Sequence, residues 1–395
     1  MRNQFCYIGL SILLVSCTNH TITIKNEQAG ILTATHQLVI SSEKKIYLDD
    51  DTAPKPPYIQ IYEDASGVRM LTLLNPHNHS INFYDYTNAT YLRKTHYERE
   101  GPDAVLSPKG YYIKNMDSIY VYNMPMTEVV LTDSAGRVIN RIQLRGDDPD
   151  WKFWPLYFPQ YLPSTVAPFI ENQGKLILTG FSPFSLADTL IDKFHFTACI
   201  DMKTNQAEFV HTYPKELYGK NSNWEGGDLF TPVYSGLSPT GELIHSFPVS
   251  HDLYRAKWDE ESYTIVYAGS NVTRTIRSID REPKGTPNEV AGTHFLQQDL
   301  YAAILYDAYR KVYYRFMLQG IPGATAFPEH VNKPVIVILM DEQFNYLGET
   351  LIGTGKEWNW TNSFVTQEGL NIEYIDDNDT DEEYLNFKIF TIEKL

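Results

Sequence analysis

From about residue 34 the chain is a succession of short apolar runs, some alternating with polar residues and some continuous, broken by clusters of Asp, Asn, Ser and Gly. Little of it follows the 3.6-residue period of an amphipathic helix. What recurs is a strand, a tight polar turn and a second strand. INFYDYTNATYLRKTHY turns after Asp85, VVLTDSAGRVINRIQL at Asp133 to Gly136, and FTACIDMKTNQAEFVHTY after Asp201. YSGLSPTGELIHSF turns at Pro239-Thr240-Gly241, AAILYDAYRKVYYRFML after Asp307, and VIVILMDEQFNYLGETL after Asp341. Asp, Asn and Ser bond locally to the backbone of a turn, and Gly accepts positive φ, so these positions suit hairpins. Period-2 runs of this length predict an all-β fold.

Six similar hairpins between Asp85 and Asp341 give a mean step of about 51 residues, close to the ~40–50 residues of a four-stranded propeller blade. A β-propeller of six blades is the expected architecture; seven blades or a pair of β-sandwiches fit the same pattern. LNIEYIDDNDTDEEYLNFKIFTI adds a C-terminal hairpin, and HQLVISSEKKIYL near the N-terminus supplies a spare strand. Pairing the two would close the ring and remove the free edges that invite aggregation.

The N-terminus has another pattern. Arg2 precedes an apolar run from Phe5 to Val15, too short to span a bilayer as a helix and of the right length for the apolar part of a secretory signal. The run ends in Leu14-Val15-Ser16-Cys17, which resembles the lipobox of bacterial lipoproteins. That resemblance implies that residues 1–16 are a signal peptide and that Cys17 carries a diacylglycerol through a thioether. Buried acyl chains contribute about 0.8 kcal/mol per methylene, so two or three chains anchor firmly. Residues 17–33 then read as a polar tether and 34–395 as one propeller domain. Thr18, where Asp would suggest inner-membrane retention, and the absence of an acid before Glu27 point to the outer membrane, facing the periplasm. Cys6 lies in the removed segment, so Cys199 is the single thiol of the mature chain besides the anchor, and no disulfide framework is expected.

Composition narrows the partners. Asp and Glu number 49 against 33 Lys and Arg, a formal charge of −16. Such acidity excludes nucleic acid, which requires a basic face. The 28 Tyr, 19 Phe and 6 Trp favour strands and leave aromatic side chains available to loops.

The sequence holds no G-x-S-x-G, H-E-x-x-H, C-x-x-C or phosphate-cradling glycine loop, so no catalytic residue is assigned. His77 and His79 in NPHNHS would share one face of a strand and could hold a metal, although Asn75-Pro76 suits a turn. Asp377, Asp379 and Asp381 alternate as in a calcium loop, but Glu382 stands where the sharp turn needs Gly; calcium is the single cofactor considered. WKFWPLYFPQYLP, with Trp151 and Trp154 among three prolines, cannot form a regular helix or central strand. Its rings either pack over the propeller or form a platform for sugars. Trp224 in NSNWEGGD, and Trp358 and Trp360 in KEWNWTN, lie in similar polar-aromatic loops that suit a glycan or an ordinary loop anchor. Arg315, among strand aromatics, is expected either in a buried salt bridge or in the central channel, where propellers bind ligands.

The pieces EREGPDAVLSPKGYYIKNMDSIYVYN and YDAYRKVYYRFML, together with the lipobox and the hairpins, resemble six-bladed propeller lipoproteins of anaerobic Gram-negative bacteria, a group filed as domains of unknown function. The resemblance implies a six-bladed propeller on a lipid anchor and implies no reaction. The expected role is non-enzymatic binding or scaffolding in the cell envelope, with a glycan or an envelope protein as partner. A propeller hydrolase or lyase acting on glycans or esters, and a structural component of an envelope complex, are the alternatives.

Overall fold

A computed structural model describes residues 21–145, 157–219, 222–226, 229–280, 287–376, 379 and 382–395. In chain order, β1 (Thr23–Lys25) and β2 (His36–Tyr47) precede the first blade, β3 (Ile59–Glu63), β4 (Arg69–Asn75), β5 (Ser80–Asp85) and β6 (Thr90–His96). Blade 2 is β7 (Pro108–Asn115), β8 (Ser118–Asn123), β9 (Glu128–Thr132) and β10 (Val138–Gln143). Blade 3 is β11 (Ile170–Asn172), β12 (Lys175–Thr179), β13 (His195–Asp201) and β14 (Ala207–Thr212), followed by the helical turn α1 (Lys215–Tyr218). Blade 4 is β15 (Tyr234–Leu237), β16 (Leu243–Ser246), β17 (Asp252–Ala256) and β18 (Thr264–Tyr267), followed by β19 (Thr275–Arg277) and the helix α2 (Asn288–Gln297). Blade 5 is β20 (Leu300–Asp307), β21 (Val312–Leu318), β22 (Pro334–Asp341) and β23 (Tyr346–Thr354); blade 6 begins with β24 (Trp358–Thr366), β25 (Gly369–Tyr374) and β26 (Tyr384–Lys394).

Each blade is an antiparallel four-stranded sheet in chain order, and the ring closes as the sequence predicts. β2 is the fourth, outer strand of blade 6, paired with β26 from His36 opposite Lys394 to Tyr47 opposite Tyr384. The architecture is therefore a six-bladed β-propeller. The inner strands pack against their neighbours on both faces, which is why β20 (LYAAILYD) and β22 (PVIVILMD) are continuous apolar runs. The outermost strands face solvent; β6 (TYLRKTH) is exposed at most positions.

Antiparallel order fixes the two ends of the disc. The first-to-second and third-to-fourth turns lie at one end; the second-to-third turns and the links between blades lie at the other. All six hairpin turns read from the sequence are of the first kind, but they do not mark one blade each: Asp307 and Asp341 both belong to blade 5. The aspartates act as expected. Asp133 Oδ1 accepts from the N–H groups of Ala135 and Arg137, Asp201 Oδ1 from those of Lys203 and Thr204, and Asp341 Oδ1 from those of Gln343 and Asn345. Such turns need one residue of positive φ. Ala89, Asn205 and Lys311 take it at 54°, 59° and 56°, without glycine. We call this the turn end and the opposite one the loop end.

Residues 21–33 depart from the expected free tether. β1 pairs with β19, and Asn26, buried, donates to the carbonyls of Ser270 (2.7 Å) and Thr273 (2.8 Å) while accepting from the Tyr267 hydroxyl (2.8 Å). The segment is part of the domain because these polar groups meet partners that a solvated tether would leave to water.

Candidate functional site

NPHNHS joins β4 to β5, and the described part of NSNWEGGD lies between blades 3 and 4, both at the loop end. They share an end of the disc without forming one site. KEWNWTN is not the loop expected of it: Trp358 and Trp360 lie in strand β24, where alternate residues pack into the sheets.

The tryptophans are anchors. Trp224 is fully buried (0% exposed), with Nε1 donating to the Leu217 carbonyl at 2.8 Å and its ring against Tyr218 and Phe230, so it presents no face to a sugar. Trp358 is buried against Tyr374 and Phe390. Trp360 is half-buried between Tyr234 and Phe316. Trp151 and Trp154 lie outside the described residues, as do Cys17, Asp377 and Asp381.

Arg315 corrects both expectations placed on it. It forms no ion pair among the described residues and does not face the channel. Its guanidinium is completely buried between blades 4 and 5, over the Tyr301 ring at 3.9 Å. It donates to Ser246 Oγ and to the carbonyls of Ser250, His251, Asp252 and Ala268 at 2.8–3.3 Å. Burial pushes it down to about 10, yet its five donors in a fixed fork reach carbonyls from two connections of blade 4.

The metal candidates do not converge. His77 is exposed in its turn; His79 sits at φ 53°, half-buried, and burial lowers its pKa. His96 Nδ1 is engaged with the Asn78 carbonyl. Asp379 accepts from the N–H groups of Glu383 and Tyr384, closing its own turn. Among the described residues, no group of three or more His, Cys, Asp or Glu side chains is placed to hold a metal ion. Cys199 is buried and its thiol is pushed up to about 12 by that burial, an inert core group.

The described part of the aromatic-proline loop does cover the propeller. Its segment 157–169 touches the inner ends of blades 1, 2, 3 and 6 and so lies across the axis. Pro163 sits where a Cβ on Gly110 would come within 2.7 Å, and Pro159 stands equally close to Gly180. Tyr161 is buried against Tyr122. Thr165 Oγ1 accepts from the Ile59 N–H (2.9 Å) and donates to Asn362 Oδ1 (2.7 Å). Asn362 Nδ2 in turn donates to the Pro56 carbonyl (2.9 Å) and to Glu373 Oε2 (2.6 Å), which also accepts from Asn359 Nδ2 (2.7 Å). A bulge in β24 between Asn359 and Ser363 brings both amides to one carboxyl group. Glu373 is 5% exposed, and burial raises it to about 7 against the opposing pull of the two amides and Lys55.

An open groove of about 540 Å³ lies at the loop end between blades 4 and 5. Its lining is mixed: Leu229, Ala291, Gly292 and Phe327 are apolar, and Asn288, Glu289, Thr293 and Thr325 are polar. Phe327 is 45% exposed with its ring stacked on His330 at 5.0 Å. Helix α2 forms one wall. Lys333, itself buried, fixes the end of that helix by donating to the carbonyls of Phe295 (2.9 Å), Leu296 (3.2 Å) and Gln298 (2.7 Å). Burial pushes Lys333 down to about 7, while three carbonyls match the three donors of the ammonium form. Of the loops chosen from sequence, NSNWEGGD reaches this groove, through Gly226 and not through Trp224.

Sequence reasoning missed the groove, Lys333 and the Glu373 cluster. NEVAGTHFLQ has no clear apolar stripe because only Ala291, Gly292 and Leu296 are buried. The one available signal was the stretch from Arg281 to Gln298, which carries no alternating strand pattern.

Comparison with known proteins agrees with the fold. A member of the DUF4221 family from Bacteroides vulgatus superposes with a TM-score of 0.75 at 19% identity, over 91% of this chain and 99% of that one. A protein from Bacteroides fragilis described as exported gives 0.54 at 12% identity, over 91% and 95%. No curated protein matches the sequence. Residues 35–351 match the family described as "Domain of unknown function (DUF4221)", and the chain belongs to it.

Proposed function

We propose that this chain is an exported, lipid-anchored binding protein of the cell envelope, held at the outer membrane on the periplasmic side through Cys17. Its ligand site is the groove between blades 4 and 5. The observation that carries this reading is the groove itself: a concave site lined by apolar and polar side chains together, with an exposed Phe327 ring and with the end of its helical wall fixed by Lys333. That chemistry suits a ligand with one apolar face and hydrogen-bonding groups on the other, and a sugar ring has this character. Binding is favoured over hydrolysis because Glu289 is the single carboxylate among the groove's described lining residues, whereas glycoside cleavage requires two. The lipobox supports export.

A thermal-shift panel of envelope glycans, calcium with chelator, nucleotides and peptides tests the proposal. A ligand at 100 times its dissociation constant adds about 2.7 kcal/mol of stability. The expected result is a shift with a glycan that Phe327→Ala abolishes. A shift that survives Phe327→Ala moves the site elsewhere, and a flat panel counts against a small-ligand role.

A further inference from the structure

Two independent observations meet at the loop end beside the groove. The first is the path of the N-terminal segment. Thr21 Oγ1 donates to Asp280 Oδ1 (2.6 Å), the Ile22 N–H donates to Ser278 Oγ (2.9 Å), and the Ser278 N–H donates back to the Ile22 carbonyl (2.9 Å). β1 then pairs with β19. The propeller therefore grips its own chain from Thr21 onward, and only Thr18, Asn19 and His20 stand between that grip and Cys17. Four Cα steps reach at most about 14 Å when fully extended. A lipid on Cys17 would thus hold one particular part of the propeller at the bilayer.

That part is the groove sector. The Ile279 N–H donates to the Asn223 carbonyl (3.0 Å), in the loop that lines the groove, and His294 of α2 bonds the Arg277 carbonyl through Nε2 (2.7 Å). The second observation is what this sector exposes. Val290 on α2 and Phe327 and Val331 on the turn that follows blade 5's second strand are all solvent-exposed, with Lys25 and Arg277 exposed beside them. Among the described residues of the turn-end hairpin loops themselves, the exposed large apolar side chains are Val68 and Tyr309, with Tyr91, Ile139 and Ile265 on the strands just beyond. Apolar side chains among mixed charges, Lys25 and Arg277 with the exposed Asp280 and Glu289, suit a zwitterionic headgroup layer, and the acidic runs at Asp49 to Asp51 and Asp376 to Glu383 lie on the connections of blade 6.

We propose that the propeller lies with the blade 4 and 5 sector of its loop end against the lipid bilayer, turn end outward, so that the groove opens at headgroup level. This rests on the reading of Cys17 as a lipid anchor. A ligand of the groove is then one presented at the membrane surface.

The test uses the full chain, expressed in a Gram-negative host, purified in detergent and placed in phosphatidylcholine–phosphatidylethanolamine vesicles with a headgroup-quencher lipid. A fluorophore is attached at Val290→Cys on α2 or, separately, at Ser66→Cys in a turn-end hairpin. The expected result is several-fold stronger quenching at 290 than at 66. Equal quenching, or stronger quenching at 66, overturns the orientation. The mass of the N-terminal peptide separates the two claims: a lipidated Cys17 with equal quenching sinks the orientation alone, and an unmodified Cys17 sinks the anchor and the orientation together.

Discussion

Replacing Glu373 by Gln isolates a specific energetic claim. The Gln side chain keeps the shape and an oxygen that can accept from Asn359 and Asn362, and it removes the ionisation. In the folded protein Glu373 titrates near 7 against an ordinary 4.5. A folded-state value above the unfolded one means that the folded chain holds more protons between those limits. Stability is therefore highest below pH 4.5 and falls as pH rises through 7. The difference, at 1.36 kcal/mol per pH unit, is about 3 kcal/mol. Other groups titrate in the same window. His211, His245 and His251 are buried and lowered, so their protonation favours the unfolded chain and adds a slope of opposite sign below 6.5. That slope is common to both proteins and cancels in their difference. Urea unfolding of wild type and Glu373→Gln at steps from pH 4.5 to 8 should show the variant gaining about 3 kcal/mol relative to wild type across the range. Parallel curves would refute the reasoning and show that the carboxylate is accommodated charged, at no cost.

Further perturbations test how the site is supported. Asn26→Ala removes two donors to buried carbonyls and one acceptor; it should cost about 2 kcal/mol in thermal or urea unfolding, whereas a tether residue would be neutral. Arg315→Met strips the guanidinium from the carbonyls of Ser250, Asp252 and Ala268, while the His251 carbonyl keeps the Ala268 N–H. At about 1–3 kcal/mol for each unsatisfied group it should cost at least ~4 kcal/mol, with Arg315→Lys recovering only part. Lys333→Met frees the carbonyls at the end of α2 and should cost about 2–4 kcal/mol in urea unfolding, with hydrogen exchange over 288–297 accelerated more than in the blades.

What was legible in the sequence was whatever depends on local chemistry. The Asp turns signal themselves, because an aspartate that bonds two or three residues onward needs nothing from the rest of the fold; Asp133, Asp201 and Asp341 do what their neighbours dictate. The closing strand was legible because HQLVISSEKKIYL had no partner near it. Side-chain roles decided across blades were not. Arg315 looks the same in sequence whether it meets a carboxylate or a ring of carbonyls, and its acceptors lie 47 to 69 residues away. Trp224 sits among polar residues, yet its indole is swallowed by the core between blades 3 and 4. Glu373 depends on a bulge in a neighbouring strand and on Thr165, which arrives from another blade's connection. Residues 21–33 read as tether in sequence because their polar groups find their partners in residues 267–278, far along the chain.

The groove between blades 4 and 5 is where the ligand is proposed to bind. Hydrogen exchange on the chain beginning at residue 21, with and without fractionated envelope glycans, tests it most directly. The account predicts slowed exchange in 222–230, 288–297 and 325–332, and little change in the turn-end hairpins. Protection confined to the turn-end hairpins, or none with any fraction, would contradict it.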